Sequence, residues 1–139
     1  MDLPRITNGV TIYLPVMVEE AFLFMGDAHA LQGAGEITGN GIEISCDITF
    51  SIQIDNLNLG YPAGEDSEYL FTIYNDKPLE KALRIATNKM FKWLITHHSL
   101  TRDQAGILMG QLVNYEIGNI ISNKYTGVCC FPKSALINF

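Results

Sequence analysis

A glycine-rich stretch at residues 24–41 holds the side chains best suited to chemistry in this sequence. It contains five glycines, together with Asp27, Glu36 and His29, which is one of three histidines in the chain. Because glycine loses more backbone entropy on folding than any other residue, this density indicates unusual backbone angles or a close approach to another group. Polar side chains held in such a turn indicate a binding or catalytic site.

The spacing of Asp27 and His29 allows both side chains to bind one ion. Two residues apart in an extended segment, they lie on the same face, roughly 6–7 Å apart along the strand. Glu36 follows seven residues after His29, close enough to fold back as a third ligand or a base. Such nitrogen and oxygen donors suit a divalent metal, Zn²⁺ first and Ca²⁺ as the alternative. A site with three ligands leaves a position for water, which the metal acidifies.

Other interpretations of the polar residues remain open at this point. Asp-x-His is a common pair, and a glycine-rich turn can serve only to reverse the chain. Phosphate or dinucleotide binding is not indicated, because residues 33–39 carry no lysine and do not match G-x-G-x-x-G. His97 and His98, at the end of a predicted helix, are explained by an interaction with the helix dipole.

Composition predicts one soluble globular domain over residues 1–139, with 47% hydrophobic and 17% charged residues. A net charge of -6 without a basic stripe argues against binding to nucleic acid or an anionic membrane. No apolar run reaches the roughly 18–20 residues that span a bilayer, and the N-terminus does not resemble a signal peptide. Three cysteines without C-x-x-C spacing predict free thiols in a reducing cytoplasm.

Period-two alternation predicts strands in the first half of the chain, at residues 9–16, 17–25, 42–55 and 69–74. The alternation is strictest at 42–55, where every even position is apolar and every odd position is polar. This pattern predicts a long antiparallel strand with one face on a core.

The second half changes to helical spacing. Residues 78–97 are predicted to form a helix with Pro78 in its first turn. Thr101 and Gln104 form a predicted capping box that begins a second helix reaching Val113. Strands are expected near 117–121 and 126–131. The order predicts an α+β, β-rich fold, in which two consecutive helices pack on one side of an antiparallel sheet or sandwich-like portion.

Several motifs along the chain together resemble the acetamidase/formamidase family. The resemblance covers nearly the whole chain, and Gly-Asp-x-His-Ala is its most specific part. The matching segments are Met1-Asp2, Leu14-Pro15-Val16, Gly26-Asp27-Ala28-His29-Ala30, Gln32-Gly33-Ala34-Gly35-Glu36, Ile42-Glu43, Asp103-Gln104-Ala105 and Phe131-Pro132-Lys133-Ser134.

The resemblance implies hydrolysis of the C–N bond in small linear amides such as formamide or acetamide, with metal assistance. It implies that Asp2, Asp27 and His29 are metal ligands, that His29 also acts in catalysis, and that Glu36 is the general base. The chain resembles the second, C-terminal half of a family member. Ala34 stands where the family usually has aspartate, and residues 114–118 replace a segment that usually begins with aspartate.

These departures keep two further hypotheses beside the amidase. The chain can be a catalytically impaired remnant or subunit that binds a metal or a partner chain, or a hydrolase of cyclic amides. Under each hypothesis we expect a homo-oligomer or a partner chain that supplies the missing N-terminal half, because a half-protein leaves strand edges and an apolar face uncovered.

Overall fold

The computed structural model describes residues 3–57 and 59–136, which form an antiparallel five-stranded sheet and two helices. The sheet order is β1-β2-β3-β5-β4, and α1 and α2 follow β3 in the chain. Two short 3₁₀ turns lie at Ala34–Glu36 and Lys133–Leu136. The elements are β1 Thr11–Tyr13, β2 Ala63–Glu65, β3 Tyr69–Asp76, α1 Leu79–His97, α2 Arg102–Leu112, β4 Asn114–Ile117 and β5 Tyr125–Pro132. The predicted α+β class is confirmed, with helices rather than a second sheet as the partner layer.

The two central strands form the rigid part of the sheet. β3 and β5 pair over eight residues, from Tyr69 opposite Pro132 to Asp76 opposite Tyr125. Side chains alternate between the two faces, so Leu70 and Phe131 lie in the cluster with the helices, whereas Phe71 and Cys130 lie in the cluster on the opposite face. Both central strands are therefore buried on both faces.

The helices form as their sequence spacing predicts. α1 buries one apolar stripe against the sheet, and Thr72 ties the two layers by donating a hydrogen bond from Oγ1 to the carbonyl of Ala86 at 2.7 Å. At the start of α2, Thr101 and Gln104 form both hydrogen bonds of the predicted capping box, 3.2 and 2.9 Å long. Among the described residues, neither helix combines the length and apolar character that a bilayer crossing needs.

Cys129 and Cys130 point to opposite faces of β5 and are fully buried free thiols. Burial raises the pKa of each thiol to about 12, so neither forms a thiolate near neutral pH. The two thiols therefore act as buried apolar side chains of the core.

Close packing of α1 on β5 depends on Gly127. A Cβ added there would lie 2.9 Å from the backbone nitrogen of Leu83 and 3.1 Å from the carbonyl carbon of Ala82. We expect Gly127→Ala to lower the free energy of unfolding by about 1–3 kcal/mol, because the helix backbone must move away from the sheet. Urea denaturation measures this change. Gly110→Ala, in an exposed and open position of α2, is the control and should stabilise the chain by roughly 0.5–1 kcal/mol. Equal effects of the two substitutions would contradict the packing.

Strand boundaries differ from the predicted ones at several places. The strand predicted at 9–16 is limited to Thr11–Tyr13, because its partner β2 has only three residues. β2 lies between the predicted strands at 42–55 and 69–74, where no strand was predicted because its three residues around Gly64 show no alternation. The strand expected near 117–121 lies earlier, at Asn114–Ile117, and that at 126–131 is confirmed as β5.

The predicted strands at 17–25 and 42–55 are wrong for the described structure. Residues 14–57, hereafter the arm, contain only β-bridge pairing at His29 and Glu43 and the 3₁₀ turn Ala34–Glu36. The apolar stripe predicted to cover a core is exposed, from 50% at Ile48 to 100% at Ile54. Alternation of apolar and polar residues indicates which face a strand would bury if it formed. A strand forms only beside a partner to which its backbone can hydrogen-bond, and the described residues offer these segments no partner beyond the short bridge.

Candidate metal centre

The arm folds back on itself through its glycine-rich segment. Ala30 and Ile42 are joined by a 2.8 Å hydrogen bond from the Ala30 amide, and the Ile42 amide donates to Leu31 at 2.8 Å. His29 and Glu43 lie directly opposite each other as an antiparallel bridge. Gly35 and Gly39 adopt left-handed φ values of 80° and 85° within the reversal, where a side chain would be strained. The glycines therefore serve to bring residue 43 back to residue 29.

Three side chains converge at this bridge. His29 Nε2 lies 2.9 Å from Glu43 Oε1 and 3.6 Å from Asp27 Oδ1. One donor atom from each of the three residues lies within 4.8 Å of the others. A tetrahedral Zn²⁺ with bonds of about 2.1 Å separates its ligand atoms by about 3.4 Å, so small rotations of the carboxylates would let all three bind one ion.

Asp27 reaches His29 by a local backbone feature that spacing did not predict. Its φ is 63°, in the left-handed region, which aspartate adopts more readily than most residues. The segment is thus not the simple extended strand that was expected. The two side chains nevertheless meet on one side, with His29 Nε2 3.6 Å from Asp27 Oδ1.

The centre combines a sheltered imidazole with two open carboxylates. The side chain of His29 is 7% exposed, whereas Asp27 is 75% and Glu43 65% exposed. The hydrogen bond with Glu43 raises the pKa of His29 against the opposing effect of burial, and the charges of Glu43 and Asp27 raise it further. This negative environment, which favours a proton on the ring, also favours a cation in its place.

Gly41 forms the surface on which the His29 ring rests. A Cβ at position 41 would lie 2.6 Å from Cγ of His29 and 2.8 Å from its Cδ2. Real Cβ atoms do not approach so closely, so any side chain at this position displaces the imidazole.

We expect Gly41→Ala to weaken Zn²⁺ binding by about 10–100-fold, the usual effect of disturbing a residue that orients a ligand. Titration against a chromophoric zinc chelator measures the affinity. Gly33→Ala is the matched control, because a Cβ there meets no atom within 4 Å and φ is -81°. If both variants bind zinc equally well, then contact with Gly41 does not position the imidazole ring of His29.

Glu36 lies outside the cluster of three donors. It ends the 3₁₀ turn Ala34–Glu36, where it accepts a 2.6 Å hydrogen bond from Nδ2 of Asn119. The amide of Ile120 also donates to the Gly35 carbonyl at 3.0 Å. These contacts attach the arm to the loop after β4. Its predicted role as general base remains a prediction.

The remaining predicted ligand, Asp2, lies outside the described residues. Glu43 was given no role by sequence reasoning, because its alternating segment predicts an ordinary solvent-facing side chain. The signal that could have found it is the hairpin: a glycine-rich reversal after Asp27 and His29 places the next polar position opposite the histidine.

A second group of titratable side chains joins the edge of the sheet to its C-terminal end. Glu65 accepts hydrogen bonds from the Tyr13 hydroxyl and from Nζ of Lys133, the latter at 2.6 Å. Burial opposes ionisation of Glu65, but the hydrogen bonds from Lys133 and Tyr13 prevail and lower its pKa. Since these groups satisfy one another, they hold Lys133 of the matched C-terminal motif in a structural network.

Another charged network surrounds Arg5 and includes Asp66, whose carbonyl also accepts a hydrogen bond from Lys133. Arg5 pairs with both Asp66 and Glu116 and lies over the ring of Tyr69, 5.1 Å from its centroid. An open groove of about 390 Å³ next to it contains none of the three donors of the hairpin. Arg5 therefore has a structural role, and the three donors of the hairpin remain the candidate site.

Comparison with known proteins agrees with the predicted family and with the fold. Residues 1–64 match the model of the acetamidase/formamidase family, a range that contains Asp27, His29 and Glu43. A formamidase of Methylophilus methylotrophus is 49% identical over 37 residues, which are 27% of this chain and 9% of that protein.

Solved structures match over nearly the whole chain. The acetamidase of Yersinia enterocolitica is 36% identical with a TM-score of 0.87, covering 98% of this chain and 42% of its own. The acetamidase of Bacillus halodurans is 29% identical with a TM-score of 0.88, covering 96% and 45%. A predicted acetamidase/formamidase of Thermoanaerobacter tengcongensis is 29% identical with a TM-score of 0.84, covering 100% and 46%.

This chain belongs to the acetamidase/formamidase family. It spans less than half the length of the solved structures that it matches. That share agrees with the prediction that it corresponds to about half of a family member.

Proposed function

We propose that this chain carries the metal centre of an amidase that hydrolyses the C–N bond of small linear amides. The observation that carries the proposal is the convergence of Asp27, His29 and Glu43 on one hairpin, within a fold shared with acetamidases. The predicted ligands Asp27 and His29 enter the proposal with Glu43 as the third donor.

The donor set supports Zn²⁺ over Ca²⁺ as the metal. One imidazole and two carboxylates are three of the four donors that zinc takes, whereas calcium requires six to eight oxygens. The exposed carboxylates leave the remaining position open to water or substrate. When bound there, the metal would polarise the amide carbonyl and lower the pKa of a bound water.

Glu36 is proposed as the general base of the reaction. Its carboxylate takes a proton from the attacking water and passes it to the departing nitrogen, so that amide and water give carboxylic acid and ammonia. Asn119 would fix the carboxylate through its 2.6 Å hydrogen bond. His29, fixed on Gly41, orients the centre through its contacts with both carboxylates.

Ammonia release from formamide and acetamide, with Zn²⁺ added, tests the proposal. Glu36→Gln should lower kcat by about 10²–10⁴-fold while zinc affinity stays unchanged, because a base acts on the proton and not on the metal. Activity equal to that of the unaltered chain would refute Glu36 as the base. A lactam assayed beside acetamide decides between linear and cyclic amides, which present the same carbonyl.

A second candidate is a non-catalytic subunit that binds metal or a partner chain. Its support is that the chain spans 42–46% of the matched structures, and that Ala34 replaces the aspartate usual at this point in the resembling motif. Zinc binding without ammonia release, also after assembly with the rest of the fold, would favour this candidate.

A reducing compartment such as the cytoplasm completes the proposal. Cys46, Cys129 and Cys130 are all free thiols, which persist most readily where disulfides are kept reduced.

A further inference from the structure

We propose that the arm, residues 14–57, is a docking surface for a polypeptide that carries the part of the acetamidase/formamidase fold that this chain does not span. The partner would present an apolar face with a basic rim and would pair strands with the arm. This inference concerns assembly and holds independently of the proposed amide hydrolysis.

Exposed apolar side chains concentrate on the arm. Of the 21 large hydrophobic residues that are exposed among the described ones, 16 lie between Leu14 and Ile54. Val16, Phe22 and Phe24 are 75%, 84% and 87% exposed. No large hydrophobic residue of the arm is buried in either core cluster. Large apolar side chains exposed together on one segment of a folded chain mark an interaction site.

The backbone of the last part of the arm also lacks partners within the described residues. Residues 45–56 form no backbone–backbone hydrogen bond with the described residues, although their side chains alternate strictly between apolar and polar. Such a segment can pair as an added strand with the sheet of another polypeptide. Its even-numbered, apolar side chains would then pack on the core of that polypeptide.

The matched acetamidase structures indicate which polypeptide covers this surface. The arm is about a third of the chain, so TM-scores of 0.84–0.88 cannot be reached unless most of the arm superposes as well. Relatives thus hold the same arm in the same place while possessing more than twice the length of chain. The additional part of their fold is the natural occupant of a surface that this chain leaves open.

Charge on the arm argues against a second copy as the occupant. The arm contains seven acidic residues and neither lysine nor arginine. Its acidic residues are Glu19, Glu20, Asp27, Glu36, Glu43, Asp47 and Asp55. Two arms facing each other would place like charges together, which is costly across an interface, whereas a basic rim would be attracted.

Co-expression tests this proposal. The 139-residue chain, carrying an affinity tag, is expressed with the segment of the Yersinia enterocolitica acetamidase that lies outside the match. Light scattering after size-exclusion chromatography should show a 1:1 complex. The double variant Ile48→Lys with Ile52→Lys should weaken the complex on the order of 100-fold or more, because two apolar contacts are replaced by charges.

The control changes the opposite face by the same charge. Thr49→Lys with Gln53→Lys should leave the complex intact, and thermal melts should show that both double variants remain folded, since none of the four side chains is buried. A homodimer abolished by the variant on the apolar face would assign the surface to a second copy and overturn the proposal. Failure of the unaltered chain to retain or solubilise the acetamidase segment would overturn it too, as would equal binding by both double variants.

Discussion

Replacing Glu43 by glutamine should lower the affinity of the chain for Zn²⁺ by at least about 10–100-fold. A change of this size is usual when a partner outside the ligand sphere is lost, and Glu43 is proposed to be a ligand itself. The glutamine amide retains the shape of the carboxylate but carries no negative charge. One of the two carboxylate oxygens is replaced by an NH₂ group, which donates hydrogen bonds and does not accept them. His29, 2.9 Å away, would also lose its charged hydrogen-bond partner.

The matched control is Asp47→Asn, which removes the same charge four residues further along the same exposed face of the arm. Competition with a chromophoric chelator measures both affinities. In the metal-free chain, NMR titration of His29 gives a second measurement: Glu43→Gln should lower its pKa, because the hydrogen bond with Glu43 is the main cause of the upward shift. Equal losses of zinc affinity in the two variants would mean that only the overall charge of the arm matters.

Replacing Phe131 by alanine should lower the free energy of unfolding by about 3–5 kcal/mol, the usual cost of emptying a buried aromatic site. Phe131 lies on β5, is fully buried and packs in the cluster that joins the sheet to both helices. The same substitution at Phe24 on the arm removes a side chain that is 87% exposed. There we expect a change within about 0.5 kcal/mol.

Urea denaturation of the two variants measures this difference in the free energy of unfolding. A circular dichroism spectrum close to that of the unaltered chain shows that each variant remains folded. The pair tests the division of the chain into a packed sheet with helices and an arm that contributes little to its stability. A loss above 2 kcal/mol at Phe24 would show that the arm is part of the core, and it would also remove the basis for a docking surface there.

Both helices and the strands β3 and β5 could be predicted because their signals are local. The helical spacing of 79–97 and the capping box at Thr101 are satisfied by residues close in sequence. The pairing of β3 with β5 was not predicted, because it joins segments that lie far apart in the sequence. β2 could not be predicted, because three residues around a glycine carry no periodic signal.

The arm shows the limit of the same reasoning. Alternation at 42–55 describes what the segment would do beside a second strand, and a single sequence does not state whether that strand lies in the same chain. Only two of the three donors of the candidate site could be predicted, because the third is distant in sequence. Asp27 and His29 are neighbours in sequence, whereas Glu43 joins them only through the reversal of the chain at the glycines.

The measurement that tests the metal centre most directly is anomalous diffraction at the zinc edge from crystals grown with stoichiometric Zn²⁺. A zinc ion held by the hairpin should give one strong peak per chain, about 2.0–2.2 Å from Nε2 of His29 and from a carboxylate oxygen of both Asp27 and Glu43. The peak should be missing in crystals of the Glu43→Gln variant. A zinc peak elsewhere, such as beside Glu65 and His98, with none at His29, would show that the hairpin is not the metal centre.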